Sequence, residues 1–199
     1  LKANAGKSFQ GSIVLGMGFV LEPEDAHALI AKDKRNAEVL FPYIGGVDLN
    51  SRWDQSASRW VINFRDWPEE RAKEYPDCYA IVSERVKPER LTSNDKGARE
   101  YWWRFLRSRP EMYAAITGME RVLVVAQTSR TQAPVFIAPD LVFDQKVVVF
   151  ALTRDREFAV MGSSFHYFWV IANGSTMRTD AVYTPTDCFE TFPFPMSID

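Results

Sequence analysis

Two long apolar runs of this chain, Arg121–Ala126 (RVLVVA) and Lys146–Leu152 (KVVVFAL), are only as long as β-strands. Each is bounded by polar residues, so both read as strands, and neither approaches the ~20 apolar residues that a helix needs to cross a bilayer. Prolines limit everything else. Pro23, beside Glu22, Glu24 and Asp25, opens a helix with Ala26, Leu29 and Ile30 on its apolar face, ending near Lys32–Lys34. Pro68 opens another helical stretch, Pro76 splits Pro68–Lys87 into two pieces, and Pro88 ends the second. Pro110–Ile116 is a short helix stopped by Gly118. Short helices among short strands predict an α+β fold with a twisted, largely antiparallel sheet.

The remaining segments fit that frame. Ser8–Leu21 condenses into SIVLGMGFVL, a strand or hairpin interrupted by Gly16 and Gly18. A dinucleotide-binding loop would need a third glycine opening a helix, whereas Phe19, Val20 and Leu21 continue as strand. Val47–Arg59 reads as a polar connector and Arg59–Arg65 as a half-buried strand, with further short strands at Val135–Ile137 and Phe158–Met161. Ser163 or Ser164 caps a helix through Trp169 that stops at Asn173-Gly174, and the chain finishes in extended, proline-rich backbone. Leu91–Gly97 is polar and without periodicity, which divides the chain into an N-terminal half, 1–90, a linker, 91–98, and a C-terminal half, 99–199.

With 199 residues, 46% of them hydrophobic, the chain can bury a core as one module. A formal net charge of -2 excludes binding to nucleic acid through bulk charge, so any such contact must use a local patch. Cys78 and Cys188 are far apart and have no CxxC or histidine company, which predicts buried, reduced thiols rather than a disulfide framework or zinc site. The start, LKANAGKSFQGS, has no apolar signal region, and a first residue of Leu1 suggests an excised piece of a longer, cytoplasmic protein.

Catalytic groups are sparse. There is no GxSxG elbow, P-loop, HExxH or zinc-ligand cluster, and His27 stands without a second ligand at metal spacing. A hydrolase could be imagined on His166 with Ser163 or Ser164, but side chains so close on one helix diverge. A protein–protein interaction module is the alternative from another class, with Phe165–Trp169 and Phe189–Phe194 as its apolar surface.

Two stretches have the chemistry of nucleic-acid contact. In Arg99–Arg109 (REYWWRFLRSR), Arg99, Arg104, Arg107 and Arg109 interleave with Tyr101, Trp102, Trp103 and Phe105. This is either an aromatic core segment whose arginines reach solvent or an edge that pairs arginine with phosphate. In Gly162–Pro195, an aromatic helix is followed by Arg178-Thr179-Asp180 and a Tyr183–Pro195 clamp. If that segment is extended, Arg178 and Asp180 project to one side, as an exposed ion pair or as a guanine and cytosine reader. The polar loop Gln127–Pro134 carries Arg130 between two strands, where recognition groups tend to sit.

Several runs in order resemble one family. Asp48–Arg52, Ser58–Phe64 and Glu84–Arg90 are similar to the region after the methyltransferase core of MmeI-like (type IIG/IIL) single-chain restriction–modification enzymes. Tyr101–Phe105, Arg109–Met112, Tyr183–Thr186 and Phe189–Pro195 resemble the same family. The resemblance implies a target recognition domain that reads double-stranded DNA in the major groove and positions an adenine for N6 methylation by a separate domain. It places base reading on Arg178 and Asp180, with Ser175 in the same segment, and on the loop Gln127–Gln132, where Arg130 is the main donor and Gln132 another. Phosphate contact falls to Arg99, Arg104, Arg107 and Arg109. No cofactor belongs to this stretch; S-adenosylmethionine, and magnesium for cleavage, are expected of the parent enzyme, whose methyltransferase and nuclease domains are the expected partners. Ala172-Asn173-Gly174-Ser175 and Gln127–Pro134 depart from the usual family pattern, so the target sequence does not carry over.

Overall fold

The computed structural model describes residues 3–195. In chain order it contains β1 (Ser8–Gln10), β2 (Val20–Leu21), α1 (Pro23–Lys32), a 3₁₀ turn (Lys34–Glu38), β3 (Leu40–Ile44), α2 (Gly46–Ser51) and β4 (Arg59–Ile62). Five short helices follow: α3 (Glu69–Ala72), α4 (Pro76–Arg85), α5 (Lys87–Leu91), α6 (Lys96–Glu100) and α7 (Pro110–Ile116). Then come β5 (Val122–Ala126), β6 (Thr128–Ser129), β7 (Val135–Ile137), β8 (Val142–Phe143), β9 (Val147–Phe150), α8 (Asp155–Met161) and α9 (Ser164–Asn173). The last elements are β10 (Ser175–Met177), β11 (Asp180–Val182) and a π-helical turn, Pro185–Phe189.

These elements form two compact units, each discontinuous in sequence. One comprises Leu1–Gly11, Gly45–Ser56 and Arg109–Asp199, and the other Ser12–Ile44 and Ala57–Ser108. The expected division at 91–98 does not coincide with this one, because residues 91–98 lie inside the second unit. There Asp95 caps α6 by accepting from the Ala98 N–H at 2.8 Å.

In the first unit, a sheet of order β1-β9-β5-β7 is antiparallel throughout, with Phe9 opposite Val149, Val124 opposite Val149, and Leu123 opposite Phe136. The two apolar runs are its central strands, and every residue of β5 and β9 is buried. Leu123, Val125, Val148 and Phe150 meet Met161 of α8, Val170 of α9, and Tyr183, Cys188 and Phe189 in one core. A smaller antiparallel sheet of order β10-β11-β6 belongs to the same unit.

In the second unit, β4 lies between β2 and β3, antiparallel to both. Phe19, Ile62, Phe64, Cys78 and Val82 are completely buried. Phe19 meets Phe105 edge to face at 5.3 Å. Arg90 is buried as well, and its guanidinium donates to the carbonyls of Val14 and Leu15 at 2.6 and 3.0 Å, which fixes the turn that separates β1 from β2.

Several expectations are corrected. Ser8–Leu21 is not one hairpin, since β1 and β2 pair in different sheets. Phe158–Met161 is helical rather than a strand, because Glu157 takes the N–H groups of Thr153 and Arg154 at 3.1 and 3.0 Å and so caps α8. Inside the supposed connector, Asp48 accepts from Gly45 N–H at 2.8 Å and starts α2. Pro88 sits in the first turn of α5 instead of terminating a helix. The end of the chain is not simply extended, as Glu190 N–H closes the π turn on Pro185 O at 3.0 Å. The cysteines are buried thiols. Burial pushes Cys78 up to about 12, and Cys188 upward too.

Candidate nucleic-acid interface

The small sheet positions the groups expected to read sequence. Ser163 Oγ accepts from His166 N–H at 3.2 Å and caps α9, which ends when Gly174 N–H reaches Val170 O at 2.7 Å. Gly174 is required there by space. A Cβ would lie 2.7 Å from Val170 O, 2.9 Å from Val182 O and 3.1 Å from Cys188 Sγ. The chain therefore turns straight from α9 into the wholly exposed edge strand β10.

β10 and β11 form a hairpin in which Met177 faces Asp180, so Arg178 and Thr179 are its two-residue turn. The extended alternation expected for Arg178-Thr179-Asp180 is thereby corrected. Arg178 has φ 58°, a left-handed conformation that costs a non-glycine residue roughly 1–2 kcal/mol. Its side chain is exposed, Asp180 is half-buried, and among the described residues no ion pair joins them. Ser175, also exposed, stands at the other end of β10 opposite Val182.

β6 lies on the far side of β11, with Ser129 opposite Ala181. The next residues outward are Arg130 and Asp180, so the Gln127–Gln132 loop and the Arg178 turn emerge at one end of one sheet. Arg130 is exposed, and its carbonyl accepts from Tyr167 OH of α9 at 3.2 Å, which ties the loop to the helix. Gln132 requires a correction. It is buried, sits at φ 48°, and donates from Nε2 to Ala181 O at 2.8 Å and Ser129 O at 3.3 Å. With its amide nitrogen committed to the backbone, Gln132 shapes the loop and does not face outward.

The arginine stretch divides. Arg99 and Arg107 are exposed; Arg99 Nη1 reaches Ser93 O at 2.5 Å, and Arg107 Nη1 touches only its neighbour's carbonyl at 3.1 Å. Arg104 is half-buried, donates from Nε to Trp67 O at 2.9 Å and stacks on the rings of Tyr101 and Trp103 at 4.6 and 5.2 Å. Arg109, at φ 60°, precedes α7 and donates to Gly11 O and Gln10 Oε1 at 3.3 Å each. It belongs to the first unit, the other three to the second. These four arginines are not equivalent groups on one edge.

The other readings lose their footing. Ser163 Oγ is used by Val160 O and His166 N–H, while His166 Nε2 faces Tyr183 OH at 3.1 Å and its ring packs on Phe192 at 4.4 Å. Burial lowers His166 to about 4 and raises Tyr183. No hydrolytic pair forms. Phe189 and Phe192 are completely buried and Asn4 Nδ2 donates to their carbonyls at 3.0 and 2.7 Å, so half of the proposed docking surface is core. The aromatic helix is only partly scaffold: His166 and Val170 point inward, whereas Phe165 and Phe168 are 63% and 66% exposed. Among the described residues, no three His, Cys, Asp or Glu side chains converge where a metal ion could sit.

The family model of the MmeI target recognition domain matches residues 8–196. The chain belongs to the MmeI target recognition domain family. The solved structure of the type IIL restriction–modification enzyme MmeI in complex with DNA has the same fold over 96% of this chain, with a TM-score of 0.76 and 14% sequence identity. The chain spans a quarter of the length of that MmeI chain. No curated protein matches it. Membership in the MmeI family agrees with the resemblance seen in the ordered sequence runs, and the antiparallel sheets with short helices agree with the α+β expectation.

Proposed function

We propose that this chain reads a target sequence in double-stranded DNA for an MmeI-like restriction–modification enzyme. One observation carries the proposal further than the family name: the small sheet puts Arg130, Asp180 and the Arg178 turn at the same end. Arg178 and Arg130 are exposed donors suited to guanine O6 and N7, and Asp180 is an acceptor suited to the amino group of cytosine. Ser175 supplies a hydroxyl at the far end of the exposed strand β10, while Gln132 holds the loop. Arg99 and Arg107 contact phosphate without sequence preference.

In this reading, adenine-N6 methyl transfer and cleavage, with S-adenosylmethionine and magnesium, belong to other domains of the parent chain. The enzyme works in the cytoplasm, where buried thiols stay reduced. Two measurements test it together. Duplex binding by the full-length enzyme should weaken steeply as salt rises. Sequencing its modified adenines should show a relaxed position in the Arg178→Ala variant; an unchanged methylated sequence would remove that residue from the readout.

A further inference from the structure

Trp53 lies in the loop after α2 with 91% of its surface exposed, more than any other large apolar side chain among the described residues. An indole has roughly 150–250 Å² to bury, so leaving it in water is a conspicuous choice. The loop that carries it is held in shape by its own hydrogen bonds. Arg52 Nε donates to Ser56 Oγ at 2.9 Å, and the Asp54 carboxylate accepts from Ser56 N–H and Oγ at 3.1 and 3.0 Å. Gln55, at φ 48°, donates from Nε2 to the carbonyls of Arg52 and Trp53 at 3.1 and 3.0 Å. These bonds hold the loop around the indole and so fix the place from which Trp53 projects.

Its location follows from α2. Gly46 packs so tightly that a Cβ would come within 2.9 Å of Lys146 O and 3.7 Å of Ala126 Cβ, which holds the helix at the end of β5. Asn50 Nδ2 then donates to Thr128 O of β6 at 3.1 Å. β5 ends at Ala126 and β6 begins at Thr128, so the Trp53 loop leaves beside the start of β6, two residues before Arg130. Trp53 is the third residue after Asn50, at most ~11 Å of chain away, against a major groove ~12 Å wide. The loop neighbours of Trp53 are Arg52, Asp54, Gln55 and Ser56. A single flat aromatic in a polar rim suits a π face better than an apolar groove.

We propose that Trp53 contacts DNA, its indole taking the face of a nucleobase beside the bases read from the β6 loop. This rests on the DNA-reading function above. In a duplex these faces are stacked on one another, so the indole enters as a wedge that unstacks one step, and because every base has a π face the contact adds affinity with little sequence preference.

The test uses the full-length enzyme and a duplex carrying its methylated site. Trp53→Ala should bind that duplex roughly five- to a hundred-fold more weakly, with an unchanged salt slope, methylated sequence and unfolding midpoint. Trp53→Phe should keep most of the affinity, and the indole emission lost in Trp53→Phe should be the part that DNA quenches in the parent. If Trp53→Ala binds as tightly as the parent, or DNA leaves that emission unchanged, the inference is wrong while salt-dependent, site-specific binding by the parent keeps the function intact. If the parent itself ignores duplex DNA, both fall.

Discussion

The side chain of Gln132 donates from Nε2 to the main-chain carbonyl of Ala181, 2.8 Å away, and so fastens the loop after β6 to the middle of β11. A residue that looks like a base reader in the sequence is thus a brace for the loop of Arg130, the reader proposed two positions earlier.

Replacing Gln132 with Ala should accordingly lower stability by about 1–3 kcal/mol, since it leaves buried carbonyls without their donor. Chemical denaturation measures that loss. A direct base reader would lose sequence discrimination at unchanged stability, so an unaltered denaturation midpoint would return Gln132 to the readout group. DNA discrimination should also suffer in Gln132→Ala, but through the Arg130 loop.

Arg178 predicts the opposite separation. Its left-handed φ of 58° is comfortable for glycine. Arg178→Gly relieves that strain while adding freedom to the unfolded chain, so stability should change by less than about 1 kcal/mol. Losing the guanidinium should nevertheless cost about 1–3 kcal/mol of discrimination at one base pair. Competition binding against single-position variants of the target site would show both halves of this prediction.

What could be read from the sequence was what short stretches decide locally. Ser163, Asn173 and Gly174 mark both ends of α9, and Val135–Ile137 is a strand as expected. FAVM at 158–161 was illegible because four apolar residues fit a strand or a buried helix, and the Glu157 cap decides between them. The turn at Arg178 was hidden because neither arginine nor threonine announces a tight hairpin. Nor does the sequence reveal that Gln132 finds Ala181, a partner 49 residues away, or that each unit is built from segments far apart in the chain. The family runs point to the segments expected to read sequence; the hydrogen bonds give their members different surroundings.

The arginines of the aromatic stretch should separate in the same manner. Arg99→Ala and Arg107→Ala remove exposed charges, so each should reduce the salt slope of DNA binding by about one and leave stability within ±0.5 kcal/mol. Arg104→Ala removes a bond to Trp67 O and two ring contacts, and should destabilise by about 1–2 kcal/mol instead. A salt titration of binding alongside thermal unfolding of the three variants distinguishes these roles. Equal slopes for Arg99→Ala, Arg107→Ala and the parent would end the phosphate assignment.

His166 supplies a pH dependence whose direction is set by burial. Its folded pKa of about 4 lies below the ordinary 6.5, so the unfolded chain binds its proton more readily. Stability from the neutral ring is therefore complete above about pH 6.5, declines as pH falls toward 4, and changes no further below that. The full difference is on the order of 3 kcal/mol. Tyr183 OH and the Phe192 ring face His166, and among the described residues its buried Nδ1 has no hydrogen-bond partner and no anion offsets the charge. His166→Gln keeps a neutral polar group at Tyr183 but cannot take up that proton. The stability of the parent should fall more steeply than that of His166→Gln between pH 7 and 5, above the range where most carboxylates titrate. Parallel curves over that interval would mean that His166 is protonated in the folded chain as readily as in the unfolded one.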